Sequence, residues 1–281
     1  FAFAAIMTFA VSINANALTT DEKVEALLAK MTLEEKAGQL NQYSGYEIIT
    51  GDIDESKISH RNLLVKKGLV GSVLNVLGTE DVEKAQRYAV EETRLGIPLI
   101  FAFDVIHGYR TIFPIPLAEA ASWDLDAMER SARIAAIEAS AAGQNWTFAP
   151  MVDISHDPRW GRVMEGAGED PYLGAKIAKA RVRGFQGNDL SLSNTIAATA
   201  KHFAAYGEVV AGRDYNNVDI SRRKLWETHL PTFKAALDEG VRSFMNAFNE
   251  FEGVPSSANT YLITDILRGE WDYNGVLVSD W

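Results

Sequence analysis

Residues 275–281 read Gly-Val-Leu-Val-Ser-Asp-Trp and place a carboxylate directly after a short apolar run. Residues 276–279 suit a strand that is buried on both faces, as in a parallel sheet covered by helices, and Gly275 marks the turn that leads into it. Asp280 is therefore expected at the carboxyl end of a strand, where α/β barrels hold their catalytic groups. A chain seldom ends naturally at the tip of a buried strand, so we expect the protein to continue beyond Trp281.

Five further apolar runs of strand length precede this one. They cover residues 70–76, 99–106, 146–154, 196–203 and 243–248. Helical patterns lie between the runs and cover residues 80–94, 124–142, 171–187, 221–239 and 259–269. Two more helices are expected before the first run, one from Thr20 or Asp21 to Lys30 and one from the capping box that opens at Thr32. Strand followed by helix, repeated, predicts a parallel α/β architecture.

A doubly wound sheet and a closed barrel both fit this alternation, and the polar residues decide between them. The glycine fingerprint of dinucleotide-binding folds does not follow the first run. Instead, polar groups follow strand after strand: Asp104, His107, Asp153, Lys201, His202, Asn246 and Asp280. Such groups converge only if the sheet closes, so we expect a TIM-type (β/α)8 barrel. Six strands are visible and a short seventh fits near residues 206–218, which predicts a barrel that is incomplete at its C-terminal end.

Composition and charge narrow the partners and the cellular location. A net charge of −11 without a run of Lys or Arg argues against nucleic acid. With no cysteine and no histidines at ligand spacing, we expect neither a metal nor another cofactor. Residues 1–17 resemble a partial secretory leader that ends in an Ala-x-Ala cleavage pattern, the alternative being a buried N-terminal helix. We therefore expect an exported protein, periplasmic or secreted and bacterial, with no membrane span after cleavage and one domain over residues 18–281.

Two pairs of adjacent residues carry the strongest chemical signal. Asp280 could cap a following helix or act as a nucleophile, and Trp281 favours the second interpretation because an aromatic ring beside a carboxylate suits stacking on a sugar. Lys201 and His202 could serve as a charge partner and a core histidine. Neighbouring strand residues reach one ligand only at an irregular strand end. We favour that arrangement, with both side chains donating hydrogen bonds to sugar hydroxyls.

Further candidates come from the second strand run and from the polar loop after the third. Asp104 can bind two vicinal hydroxyls at once, because a carboxylate has two acceptor oxygens. In the loop, Arg162 offers a fixed fork of donors, whereas Arg159 is expected to brace the loop's own carboxylates. Glu165 and Glu169 are more simply explained as structural. Together these groups predict a site for a neutral sugar.

At this level of detail the motifs resemble those of family 3 glycoside hydrolases, in particular the periplasmic β-glucosidase branch. The resemblance runs from about residue 20 to the last residue, and the segments that carry it are 103–108, 149–155, 157–162, 201–207 and 278–281. It implies a retaining, exo-acting β-glycosidase that removes terminal non-reducing β-D-glucosyl residues through a covalent intermediate on Asp280. The residues that it assigns to sugar binding are Asp104, Arg162, Lys201, His202 and Trp281, with a further contact from Tyr215 or Asp214.

The sequence departs from the family pattern in two places. Phe248 stands where many members carry a tyrosine that touches the nucleophile. The loop over residues 201–207 lacks the second histidine of the β-N-acetylglucosaminidase branch, so the glucosidase interpretation is preferred. In the glucosidase branch the acid/base Glu lies on a second α/β domain, which we expect after Trp281. The 281-residue fragment alone should then have little activity.

Other functions remain open on the sequence. A β-xylosidase would share these motifs, because the sequence bounds the substrate only to a β-linked oligosaccharide or glycoside. A Schiff-base aldolase would use Lys201 as its nucleophile and would leave Asp280 without a role. A non-catalytic sugar-binding barrel would bind the ligand without forming an adduct. The sequence does not determine the linkage, the aglycone or the oligomeric state.

Overall fold

The computed structural model of the chain describes residues 19–45 and 55–281, so the expected leader at residues 1–17 lies outside the described part. Within it, strands and helices alternate along the chain. The parallel strands are β1 (Gln42–Ser44), β2 (Ser72–Leu74), β3 (Ile100–Phe103), β4 (Trp146–Thr147), β5 (Thr199–Phe203), β6 (Ser243–Asn246) and β9 (Val276–Val278). An antiparallel hairpin of β7 (Glu250–Phe251) and β8 (Val254–Pro255) lies between the last two.

The parallel strands keep their chain order across the sheet. Strands β1 to β4 pair in sequence, as do β5, β6 and β9. Single parallel bridges join the two groups, from Trp146 to Ala197 and from Met151 to Lys201. A doubly wound sheet would reverse its order at a switch point, whereas this one does not. The predicted parallel α/β fold is confirmed, while no pairing between β9 and β1 closes a barrel among the described residues.

Most helices lie where the sequence patterns place them, but two that the patterns did not predict also form, α3 (Glu55–Lys66) and α5 (Pro116–Ser122). Their bounds are α1 Thr20–Leu28, α2 Leu33–Gln39, α3 Glu55–Lys66, α4 Thr79–Glu91, α5 Pro116–Ser122, α6 Leu125–Ala141, α7 Pro171–Gln186, α8 Arg222–Lys224 and α9 Leu230–Asp238. Two π-helical segments cover Leu225–His229 and Tyr261–Glu270. The capping box at Thr32 is present. The cap of α1 is Thr19 rather than Thr20 or Asp21, because the Thr19 hydroxyl accepts the backbone N–H of Glu22.

One strand prediction is wrong. Residues 206–218 form two short 3-10 turns, and their strand pairing is limited to a bridge from Val209 to Val218. Ala211 has a φ of 60°, which an extended strand does not allow. The seventh strand is instead β1, near the other end of the chain. Its three residues include polar Gln42 and Ser44, so it carries no apolar run for a sequence pattern to detect.

The core fixes the strands that carry the polar groups. Helix α7 packs closely on α6 because Gly184 has no side chain: a Cβ there would lie 2.5 Å from the Cβ of Ala132. Inside the sheet, Trp146 Nε1 donates to Thr199 Oγ1 at 2.9 Å and to Ser243 Oγ at 2.7 Å. This shared hydrogen bond ties β4, β5 and β6 together. Their carboxyl ends are therefore held in a fixed relation.

The outer strands border an open cleft. Its volume is about 1410 Å³, and β1 and β9 both line it. Trp146 and Val278 also face the cleft and belong to an apolar layer inside the sheet. Among the described residues, no helix has the length and apolar composition needed to cross a membrane.

Candidate active site

Side chains from three strand ends meet at the carboxyl edge of the sheet. Asp104 directly follows β3, His202 lies in β5, and Asp280 comes two residues after β9. Lys201 Nζ lies 2.6 Å from Asp104 Oδ2, and His202 Nε2 lies 3.6 Å from Asp280 Oδ2. The structure thus brings together four of the residues that the sequence singles out, although they are far apart along the chain.

Strand β5 is irregular at Lys201 and His202. Their peptide bond is cis, and the pairing with β6 passes from Lys201 to Phe203 without using His202. At such a register shift, neighbouring side chains need not point to opposite faces of the sheet. Both side chains therefore reach the same site, and both are almost completely buried.

His202 is bound to the buried carboxylate of Asp153, which from the sequence is only a polar residue after a strand. Asp153 Oδ2 accepts the backbone N–H of His202 at 2.9 Å and lies 2.8 Å from its Nδ1. Burial raises the pKa of Asp153 to about 7. Burial, together with the charges of Lys201 and Arg162, holds the pKa of His202 well below its ordinary value. Their arrangement follows from the fold, since 49 residues separate the two side chains.

Arg162 is also held by a carboxylate. Arg162 Nε donates to Glu165 Oε1 at 2.7 Å, and Arg162 Nη2 donates to Glu165 Oε2 at 2.8 Å. Burial alone would raise the pKa of Glu165, but the Arg162 charge outweighs it and the pKa is lowered. Glu165 is structural, as the sequence suggests, and its structural task is to fix the guanidinium. Arg162 also lies over the ring of Tyr206, 5.6 Å from its centroid.

Asp280 differs from these carboxylates. Burial raises its pKa, opposed by the backbone N–H of Trp281, which donates to Oδ1 at 3.0 Å, and by the charges of Lys201 and Arg162. Within the described part of the chain, no Lys or Arg lies at ion-pair distance from it. Asp280 is thus a largely buried carboxylate close to positive charge but without a cation bound to it.

Two exposed aromatic rings lie beside the polar groups. Trp281 packs its edge against Phe148 with ring centroids 5.1 Å apart. Tyr215 packs against Phe248 at 4.9 Å, and Phe248 in turn stacks near His202. Both rings remain largely exposed, Trp281 at 64% and Tyr215 at 67%.

The remaining loop residues have structural partners. Arg159 pairs with Asp157, which confirms that it braces the loop. Asp214 accepts the indole N–H of Trp160 at 2.9 Å and the hydroxyl hydrogen of Tyr206. Asp214 therefore holds other side chains in place, and Tyr215 is the more accessible of the two alternatives. No cluster of His, Cys, Asp or Glu suited to a metal ion occurs among the described residues.

Carboxylates and cations gathered at the carboxyl ends of parallel strands, beside exposed aromatic rings, define the class: an α/β domain of the carbohydrate hydrolases. The pattern described as "Glycosyl hydrolase family 3 N terminal domain" matches residues 32–281. The chain belongs to glycosyl hydrolase family 3.

Individual relatives agree with this family. A periplasmic beta-glucosidase of Salmonella typhimurium is 42% identical over 92% of this chain and 33% of its own length. A putative beta-xylosidase of Formosa agariphila is 33% identical over 94% of this chain and 37% of its own. The beta-glucosidase of Listeria innocua in complex with glucose has a TM-score of 0.86 at 42% identity, covering 94% of this chain and 38% of that one. The chain therefore spans about a third of the length of the relatives it matches.

Proposed function

We propose that the protein containing this chain is a retaining exo-β-glycosidase of the β-glucosidase type, with Asp280 as its nucleophile. The observation that carries the proposal is the state of Asp280: among the described residues no Lys or Arg is bound to it, while Lys201, Arg162 and His202 around it are each held by another carboxylate. In the first step, an Asp280 oxygen forms a bond to the anomeric carbon as the bond to the leaving oxygen breaks. The product of this step is a glycosyl ester of Asp280, which water then hydrolyses.

The sugar-binding assignments rest on the same pairs. Asp104, Lys201 and Arg162 would hold hydroxyls of the terminal sugar. Because each cation is already fixed by a carboxylate, little side-chain freedom is lost when the sugar binds. The exposed rings of Trp281 and Tyr215 would flank the sugar and the group attached to it.

The rest of the machinery is proposed to lie outside these 281 residues. We propose that an eighth strand fills the cleft between β1 and β9 and closes a TIM-type barrel. The acid that protonates the leaving oxygen would come from a second domain. Asp104 and Glu165 are poor candidates for it, since each is bound to a cation. This chain covers only 33% of the length of the Salmonella typhimurium relative, which leaves room for such a domain. The leader-like residues and the periplasmic relative support an exported protein.

A slow fluorosugar tests the nucleophile directly. When the intact protein is treated with 2-deoxy-2-fluoro-β-glucosyl fluoride, we expect a covalent adduct on the peptide that contains Asp280. The substitution Asp280→Asn should abolish the adduct and lower turnover of aryl β-glucosides by on the order of 10⁴-fold or more. Peptide mapping by mass spectrometry locates the adduct. An adduct on Glu165 or Glu169 would overturn the assignment.

A β-xylosidase is the second candidate, because the relatives include a putative β-xylosidase. Comparing kcat/KM for aryl β-glucoside and β-xyloside on the intact protein decides between the two. The aldolase alternative loses support: Lys201 Nζ lies 2.6 Å from Asp104, and an ammonium bound in this way donates hydrogen bonds instead of attacking a carbonyl.

A further inference from the structure

We propose that Asp153 is a positioning residue that fixes His202 as the Nδ1–H tautomer, so that Nε2, the nitrogen facing Asp280, is a hydrogen-bond acceptor. The inference rests on the proposed function, in which Asp280 is the nucleophile. It also changes the role expected of His202, which the sequence analysis treats as a donor to sugar hydroxyls. In the fixed tautomer, His202 instead accepts a hydrogen from the sugar.

The geometry determines which atom carries the hydrogen between Asp153 and His202. Asp153 Oδ2 already accepts the backbone N–H of His202 at 2.9 Å, and Nδ1 lies 2.8 Å from the same oxygen. A protonated carboxyl oxygen is a poor acceptor, so an oxygen that receives the backbone N–H is the carboxylate or carbonyl type. The hydrogen of the second bond therefore belongs to Nδ1. Nε2 of neutral His202 is then left with its lone pair.

The surroundings of His202 disfavour a doubly protonated ring. His202 is buried, and the positive charges of Lys201 and Arg162 face it, which disfavours an imidazolium. Glu165 and Asp214 act in the opposite direction but more weakly. The neutral ring therefore donates at Nδ1 and accepts at Nε2.

Aromatic packing restricts rotation of the His202 ring. Tyr206 packs edge-on against His202 with centroids 5.2 Å apart, and Phe248 stacks on it at 6.5 Å. These contacts, together with the bond to Asp153, keep Nδ1 inward and Nε2 toward Asp280. A donor at Nε2 would share its hydrogen with Asp280 and weaken it as a nucleophile. The acceptor at Nε2, 3.6 Å from Asp280 Oδ2, leaves that carboxylate free.

Solid-state ¹⁵N spectra of the intact protein, labelled at histidine, test the tautomer without requiring turnover. The His202 signals are identified as those that disappear in His202→Gln. We expect a protonated Nδ1 and an unprotonated Nε2 at neutral pH. A protonated Nε2 in the wild-type protein would overturn the proposal, whether or not the protein hydrolyses glycosides. A failed fluorosugar experiment with the expected tautomer would instead count against the proposed function alone.

Kinetics of three variants test the positioning role. Asp153→Asn keeps an oxygen acceptor for both hydrogens, so the tautomer should persist and kcat/KM should fall less than about 10-fold. Asp153→Ala removes the acceptor, and kcat/KM should fall roughly 10²-fold. In a His202→Gln background, Asp153→Ala should add little, because no ring remains to be positioned.

Glu119→Gln is the matched control. Glu119 is another buried carboxylate, but its partner is Arg181 and not one of the site residues, so its loss should lower the Tm without altering the His202 signals. A purely structural role for Asp153 would give equal losses with and without His202, and this result would contradict the proposal. If Asp153→Ala does not fold, Asp153→Asn and the wild-type spectrum still decide the question.

Discussion

The carboxyl ends of β5 and β9 meet in one site but are built in opposite ways. At β5, Lys201 and His202 are 2% and 1% exposed, and each is bound to a carboxylate. At β9, Val276 is 55% exposed, and Asp280 has no bound cation in the part of the chain that the structure describes. The groups proposed to bind are thus fixed in advance, and the group proposed to react is left uncompensated.

This difference has a chemical reason. A salt bridge to Asp280 would stabilise its negative charge and oppose its attack on carbon. Lys201 and Arg162 lie close enough to influence the Asp280 pKa, but Asp104 and Glu165 hold them. Positive charge is therefore present near Asp280, but it is paired with other carboxylates.

Among the variants below, the largest loss of kcat/KM is expected from a substitution at the carboxyl end of β5. Lys201→Met removes a buried ammonium and leaves Asp104 without its partner. Because charged hydrogen bonds in a buried site are strong, we expect kcat/KM for an aryl β-glucoside to fall by roughly 10²-fold in the intact protein. Lys66→Met is the control, since Lys66 pairs with Glu92 on exposed helices. An unchanged kcat/KM in Lys201→Met would show that the prebuilt pair does not contribute to binding.

The two strand ends also differ in how far the sequence could predict them. Asp280 and Trp281 follow a local apolar run, so their position at a strand end could be read directly. The ion pairs at β5 could not be predicted from the sequence, because Asp104 and Lys201 are 97 residues apart and only the folded sheet brings them together. Asp153 shows the same limit: its sequence context places it after a strand but does not reveal that it lies beneath His202. Strand β1 was missed because it is short and partly polar.

The second prediction concerns a buried histidine near Asp153. Within the described residues neither ring nitrogen of His229 has a hydrogen-bond partner, and the nearest carboxylate oxygen, Glu208 Oε1, lies 3.7 Å from Nε2. Burial outweighs the Glu208 charge and lowers the pKa of His229 to about 4. Between pH 6.5 and 4, the unfolded chain binds a proton that the folded chain does not, so stability falls as the pH falls. At pH 5 this loss is roughly 2 kcal/mol. His229→Gln cannot titrate and should escape it.

Thermal unfolding of the intact protein at pH 5 and pH 7.5 measures this effect. The Tm of His229→Gln relative to wild type should be higher at pH 5 than at pH 7.5 by several degrees. His60→Gln serves as the control, because His60 is exposed. If both variants show the same Tm difference at the two pH values, protonation of His229 does not limit the stability of the protein in acid.

The smallest effect on kcat/KM is expected from Phe248→Tyr, a substitution that would add a hydroxyl donor near Asp280. Phe248 has no hydroxyl, and Phe248→Tyr would add one beside His202 and the proposed nucleophile. A hydrogen bond to the ionised carboxylate lowers its pKa, which burial now raises. In its proposed role as nucleophile Asp280 must be ionised, so kcat/KM should fall as the pH drops through this pKa. The acid limb should therefore move to lower pH, by less than about one unit.

The pH dependence of kcat/KM in the intact protein measures the shift, and Phe248→Leu separates the hydroxyl from the loss of ring packing. The leucine variant should lower kcat/KM at all pH values without moving the acid limb. A limb that stays in place in Phe248→Tyr would mean that the new hydroxyl does not reach Asp280. A shift to lower pH would mean that Asp280, like Lys201 and His202 in β5, is now bound by a side chain. Any accompanying loss of kcat would measure how much the added hydrogen bond weakens Asp280 in its proposed role as nucleophile.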